Sequence, residues 1–119
     1  MTRTVTLETI DYGPVTFDEP PWCVGHHGQH EIYRTDIVHN SVRVKSGTST
    51  ETKGWLPMLT VHIAWAPFRE LVPVISLVLD AEGDFQAEDG RRISEGLVTA
   101  AMRIEAVAAE AIRLRDGIV

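Results

Sequence analysis

The feature that most constrains the fold of this chain is a long helical period that follows a series of extended segments. From about residue 87 to residue 115, apolar residues recur at the spacing of one helix face. The predicted stripe consists of Ile93, Leu97, Ala100, Ala101, Ile104, Ala108 and Ala111. Gly117, preceded by Arg113 and Arg115, is typical of a helix end. We therefore expect one long C-terminal helix over about 87–115.

The segments before this helix have the patterns of strands. Period-two alternation predicts strands over Arg3–Ile10, Ser41–Lys45 and Leu56–Ala66. The nearly continuous apolar run Leu71–Leu79 predicts a central strand that is covered on both faces. The polar stretch 46–54 predicts a mobile loop. Strands followed by a single helix favour an α+β fold, with a mostly antiparallel sheet and the C-terminal helix packed on one face.

The strongest strand signal, Leu56–Ala66, also predicts which side chains share a face. Alternation places Leu59, Val61 and Ile63 on one face and Met58 on the other.

Size and charge limit the classes of protein that this chain fits. Its 119 residues, 44% of them apolar and 24% charged, predict a single globular domain over 1–119. No segment approaches the roughly twenty consecutive apolar residues that span a bilayer. The N-terminal residues alternate and lack the apolar region of a secretory signal, so we expect a cytoplasmic protein without a membrane partner. The net charge of −6 makes nucleic-acid binding unlikely, since that binding depends on cations that neutralise phosphates.

Residues 19–40 contain the single cysteine and four of the five histidines of the chain. Thiolate and imidazole are the ligands that zinc prefers in proteins. Cys23 and His27 are separated by three residues, a spacing that one turn can close around an ion, and His39 follows after a segment long enough to return. We therefore predict a zinc knuckle held by Cys23, His27 and His39. The fourth position is left open among His30, His26, Glu19 and a solvent molecule.

A metal-free loop is the alternative to the zinc knuckle. Free cysteine is among the most buried residue types, so Cys23 beside Trp22 fits a core position. The histidines would then be solvated loop residues.

The same region resembles a family of small uncharacterised actinobacterial and actinophage proteins, which is described only as a domain of unknown function. Members carry a Cys-Pro-x-Trp-Cys motif followed by two histidines, and they end in a strand and a helix rich in Ala and Arg. The resemblance maps onto Pro20, Trp22, Cys23, His27 and His39. It extends in looser form from Val72 to Arg113 and covers most of the chain.

This chain departs from the family motif at its first cysteine, which falls at Glu19. The resemblance implies that Glu19 replaces it as an oxygen ligand, that another group such as His30 fills the position, or that the site is lost in this member. A carboxylate is an acceptable zinc ligand. The family supplies no activity to carry over.

These observations predict a small accessory or regulatory binding protein with a structural zinc ion. The alternative is a metal-dependent or cysteine-dependent hydrolase that uses Cys23 and the neighbouring histidines. The sequence has no complete catalytic constellation, because nothing identifies an orienting group or an oxyanion hole.

The C-terminal helix also predicts a partner. Apolar residues lie outside its main stripe and would be exposed in a monomer: Val98, Met102, Ala106 and Ala109. We therefore expect a protein partner or a homodimer that forms through this helix.

Overall fold

The computed structural model describes residues 3–118 and places six strands and one long helix within them. The strands are β1 (Arg3–Thr9), β2 (Gly13–Glu19), β3 (His39–Asn40), β4 (Val44–Thr50), β5 (Gly54–Trp65) and β6 (Val74–Leu79). The helix is α1 (Gly90–Ile118), and single 3₁₀ turns cover Arg34–Asp36 and Ala87–Asp89. The predicted α+β class, with antiparallel sheets and a long C-terminal helix, is confirmed. Within the described residues, no helix combines the length and apolar character needed to cross a membrane.

The first two strands form an antiparallel hairpin that is separate from the main sheet. Arg3 lies opposite Glu19, so the hairpin is paired over its full length and β2 ends at Glu19. A single parallel bridge between Thr9 and Ile32 adds a short contact along β1. The chain therefore leaves the hairpin at Glu19 and continues from there to the main sheet.

The main sheet is built around β5. On one edge β5 pairs with β6, and on the other it pairs with β4 and, further along, with β3. All of these pairings are antiparallel. His39 of β3 lies opposite Trp65, at the end of β5 farthest from the β4–β5 turn.

A bulge in β5 changes which side chains meet the core. Ser46 of β4 pairs with Leu59 and Gly47 pairs with Pro57, so Met58 is an extra residue on β5. Met58 and Leu59 both join the buried cluster. The prediction that Met58 lies on the face opposite Leu59 is therefore wrong, because the bulge shifts the alternation by one residue.

The core lies between this sheet and α1. Its buried residues are Leu56, Met58, Leu59, Val61 and Ala100, packed against Val44, Ile75, Phe85, Ile93, Ile104 and Val107. The helix is rotated relative to the predicted stripe, since Leu97 is half-exposed and Gly96 faces the sheet. A Cβ at Gly96 would lie 2.9 Å from the sulfur of Met58. The absent side chain at Gly96 thus makes the room that the bulged methionine fills.

Two predictions about the strands are wrong. The stretch 46–54, predicted to be a mobile loop, is instead most of β4, a tight turn and the first residue of β5. Its polar residues suit an edge strand that has one face in solvent. The run Leu71–Leu79, predicted to be a central strand, contains β6, which lies at the edge of the sheet with several exposed apolar side chains. An apolar sequence alone does not distinguish a central strand from an edge strand.

Asp89 joins the turn between β4 and β5 to the start of α1. Its buried carboxylate accepts hydrogen bonds from the backbone N–H of Glu51 at 2.8 Å and of Thr52 at 3.1 Å, and from the Thr52 hydroxyl. These hydrogen bonds, the Thr52 hydroxyl foremost, lower the pKa of Asp89 below its ordinary value of 3.8.

This lowered pKa predicts an acid dependence of stability. The charged form of Asp89 stabilises the folded state above pH 3.8, and that stabilisation is lost as the pH falls through the lowered pKa. We expect Asp89→Asn to unfold at lower urea concentration at neutral pH and to lose less stability than the wild type on acidification. Urea titrations across the acid range measure both effects. Asp84→Asn, which changes an exposed carboxylate nearby, is the matched control and should behave like the wild type.

Candidate metal centre

Four potential metal ligands converge where the hairpin meets the main sheet. Glu19 ends β2, Cys23 and His26 lie in the loop that follows, and His39 opens β3. One donor atom from each residue lies within 4.8 Å of the other three. Three separate pieces of chain therefore supply one cluster.

The loop after β2 is folded tightly enough to turn two side chains toward Glu19. The Cys23 N–H donates to the Pro20 carbonyl at 3.1 Å, and the Val24 N–H donates to the Asn40 carbonyl of β3 at 2.9 Å. Gly25 has a φ of +114°, a conformation that residues with a Cβ rarely adopt. This glycine reverses the chain between Cys23 and His26, so that both side chains point inward.

The Glu19 carboxylate is at the centre of the cluster. Its Oε1 lies 2.7 Å from Nε2 of His26 and 2.8 Å from Nδ1 of His39. The Cys23 sulfur lies 3.8 Å from the same His26 nitrogen and accepts a hydrogen bond from the Gly25 N–H at 3.5 Å. The other carboxylate oxygen, Oε2, is buried without a hydrogen-bond partner, and Nη2 of Arg3 lies 3.6 Å from it.

The Gln29 side chain fixes the protonation of His26. Gln29 donates through Nε2 to the Val38 carbonyl and accepts the Val38 N–H on Oε1, both at 2.9 Å. The orientation of the amide is therefore set, and Oε1 faces Nδ1 of His26 at 3.2 Å. Only a protonated Nδ1 makes a hydrogen bond there.

This arrangement requires a proton or a metal ion that His26 and Glu19 share. In a neutral ring with the proton on Nδ1, Nε2 carries a lone pair, and that lone pair points at the Glu19 carboxylate 2.7 Å away. Two lone pairs repel at this distance, so either Nε2 carries a proton that it donates to Glu19, or the two atoms separate slightly to bind one metal ion. A histidine whose second nitrogen is held by an outer hydrogen bond is the usual arrangement at metal centres.

The pKa shifts of Glu19 and His39 suit ligand roles, whereas the shift of Cys23 disfavours a free thiolate. Burial raises the pKa of Glu19, but the neighbouring Cys23, His26 and His39 outweigh that effect, so the pKa lies below its ordinary value of 4.5. Burial lowers the pKa of His39, which keeps this ring neutral and able to ligate. Burial and then the Glu19 carboxylate raise the pKa of the Cys23 thiol. A thiol shifted in this direction is a poor nucleophile.

Aromatic rings close the cluster from the sides. The ring of Phe17 lies 5.3 Å from that of His26 and 5.5 Å from that of His39, centre to centre. Trp22 and Trp65 also pack against the His39 ring. This apolar surround strengthens the electrostatic interactions inside it.

The structure brings together three of the five predicted ligands. Glu19, Cys23 and His39 meet in the cluster, whereas His27 and His30 are exposed and outside it. His26, one of the residues considered for the fourth position, takes the inward place. The Cys-x-x-His spacing from Cys23 to His26 matches the short ligand pairs of zinc sites and was the signal available in the sequence. Metal binding by these residues stays a prediction.

The donor set matches zinc by chemistry and by charge. One sulfur, two nitrogens and one oxygen suit a tetrahedral borderline-soft ion better than calcium or magnesium, which prefer oxygen alone. A thiolate and a carboxylate together balance the two positive charges of the ion, so the loaded site would be neutral. Neutrality matters because an unbalanced charge is costly to bury.

Comparison with known proteins gives a family and no function. Neither curated proteins nor solved structures yield a match to this chain. A family model described as "Domain of unknown function (DUF6907)" matches residues 4–113. This match takes in the hairpin, the candidate metal centre, the main sheet and most of α1. The chain therefore belongs to the DUF6907 family.

Proposed function

We propose that this protein is a zinc-stabilised binding domain, in which the ion joins the hairpin to the main sheet and has no catalytic role. The observation that carries the proposal is the convergence of Cys23, His26 and His39 on the buried Glu19 carboxylate, with Gln29 holding Nδ1 of His26 from outside the cluster. Zn²⁺ is the ion that fits all four donors.

A structural role is favoured by the number and burial of the ligands. Four protein donors complete the tetrahedral coordination of zinc, whereas catalytic sites usually keep one position for water or substrate. Glu19 is only 2% exposed, and the aromatic rings limit the approach of a substrate. The raised pKa of Cys23 also disfavours a thiol hydrolase.

The binding role rests on the surface of the helix. Val98 and Met102 are exposed on α1, as the sequence predicts, and they suit contact with a protein partner. A free cysteine ligand fits a reducing compartment such as the cytoplasm. We propose that the protein acts there as an accessory or regulatory factor.

The adjacent histidines His26 and His27 allow a direct test. We expect purified wild-type protein to contain one zinc ion per chain by elemental analysis, His26→Ala to lose it, and the matched variant His27→Ala to keep it. Cobalt substitution should give the absorption of a tetrahedral thiolate complex in the wild type and in His27→Ala only. Equal metal content in the two variants would contradict this ligand set, and a metal-free wild type that cannot be loaded would refute the proposal.

A cleft beside the centre supports metal-dependent hydrolysis as a second candidate. This cleft, of about 340 Å³, is lined by Arg3, Glu19, Pro20, Pro21 and Cys23. In such an enzyme Glu19 would leave the ion to water, and Arg3 would bind an anionic substrate. Small anions such as azide would then change the spectrum of the cobalt-loaded protein, whereas an unchanged spectrum supports the closed structural site.

A further inference from the structure

Strand β6 has an open edge that carries no charge and is apolar except at Ser76. Its six residues, Val74–Leu79, include no charged residue and no proline. Within the described residues β6 pairs only with β5, so its other edge has no partner strand. Proteins commonly protect such edges with charges, prolines or covering segments, because an open edge pairs readily with another strand.

The hydrogen-bond pattern shows which backbone groups are free. The Asp80 N–H donates to the Met58 carbonyl of β5 at 3.0 Å, which sets the alternation along β6. In an antiparallel pair, every second residue directs its N–H and C=O toward the same neighbour. Ile75, Leu77 and Leu79 therefore direct theirs outward. Their side chains share the face of the sheet that carries Val61, since each lies opposite a residue of that face.

The adjoining side of α1 continues the apolar surface. Leu97, Ala101, Ala108 and Ile112 form a line at helical spacing on this side, and the last two border a groove with Val74. These four residues carry no charge, and Arg115 borders the end of the same groove. A strand of this length covers about 20 Å, and with one helix width the patch is roughly 300 Å², as large as the patches that often prove functional.

The opposite edge of the sheet is protected. β4 carries a lysine, serines and threonines, and Arg103 of α1 donates to the Lys45 carbonyl and to the Ser46 hydroxyl. The β4 edge is therefore suited to contact with solvent, whereas the β6 edge is suited to pairing with another strand.

We propose that the open edge of β6 binds the same edge of a second copy, giving a two-fold homodimer with one continuous sheet. The outward groups of Leu77 pair with those of its own copy at the two-fold axis, and Ile75 pairs with Leu79 on each side. This register uses every outward donor and acceptor of the three residues. An isologous contact of this kind is self-complementary and closes at two chains.

A second copy fits better than an unrelated strand for two reasons. The two-fold axis supplies a second line of apolar helix residues beside the first, so Leu97 and Ile112 of both chains lie over the joined strands. It also makes β6 an interior strand, the position that its apolar sequence predicts. This inference is independent of the proposed zinc function, because β6 does not contribute to the candidate metal centre.

The test compares two pairs of exposed apolar residues. Leu77 is 43% and Leu79 is 71% exposed on the proposed edge, while Val42 is 69% exposed between β3 and β4 at the other edge of the sheet and Met102 is 64% exposed on α1. Sedimentation equilibrium should give the wild type twice its chain mass of 13.2 kDa. L77K/L79K should raise the dimer dissociation constant by at least about 30-fold. The matched variant V42K/M102K should remain dimeric.

A smaller substitution tests the register without placing charges on β6, so that loss of folding does not obscure the result. Leu77→Cys places two thiols opposite each other across the axis, at a separation that a disulfide spans, so oxidation should yield a cross-linked dimer. Val42→Cys should not cross-link at the same protein concentration. A monomeric wild type at several hundred micromolar would overturn the proposal. Equal cross-linking of the two cysteine variants, or dissociation by V42K/M102K alone, would also overturn it.

Discussion

Zinc-loaded protein is expected to unfold about 15 °C above the same protein treated with a chelator. At a free zinc concentration a thousand times the dissociation constant, binding to the folded state stabilises it by about 4 kcal/mol. Each kcal/mol shifts the Tm of a domain of this size by roughly 4 °C. The expected effect is large because the Glu19 carboxylate and its histidine neighbours lie between the hairpin and the sheet.

Differential scanning calorimetry with zinc and with chelator measures this shift. Cys23→Ala should have a low Tm that zinc does not raise, whereas His27→Ala should respond to zinc as the wild type does. Hydrogen exchange should locate the effect, since β1 and β2 are expected to lose more protection than β5 when zinc is removed. Identical Tm values with and without zinc would contradict the structural role of the ion.

The second large effect is expected at the β5 bulge. Met58 is buried between the sheet and Gly96 of α1, and we expect Met58→Ala to reduce the free energy of unfolding by about 2–5 kcal/mol, as for other truncations of large core residues. Urea unfolding at neutral pH measures this change.

Gly96 provides the matching half of a double-mutant cycle. In the wild type, the gain in helix propensity from Gly96→Ala, about 1 kcal/mol, is opposed by contact with the Met58 sulfur, 2.9 Å from the new Cβ. In the Met58→Ala background that contact is gone and the Thr48 Cβ, 3.1 Å from the new Cβ, remains, so Gly96→Ala should be more favourable there than in the wild type. Additive effects of the two substitutions would show that the bulged side chain does not set the distance between helix and sheet.

The fold was predictable where one local pattern decided it. The helical period from Ile93 to Ala111 identified α1, and the absence of helices between the strands indicated an antiparallel sheet. The bulge was not predictable, because a single inserted residue at Met58 leaves the alternation on either side intact and changes only its phase. The edge position of β6 was not predicted, because an apolar sequence indicates that a strand is buried but does not identify the surface that covers it.

The candidate site was predictable as a region but not in full detail. Three of its four residues were among the ligands predicted from the sequence, yet His27 was chosen where His26 points inward. That choice depends on the left-handed backbone of Gly25 and on the amide of Gln29, held by Val38. Neither feature follows from ligand spacing.

The shortness of β3 has a consequence for the order of events during synthesis. All four donors lie within the first third of the chain, but His39 is held by a strand of two residues that pairs with the last residues of β5. The ribosome must therefore release Trp65 before the ion-binding group is complete. Until then a nascent chain exposes an unpaired thiol and loose imidazoles, so metal capture is expected to follow, and not to nucleate, the first folding of the chain.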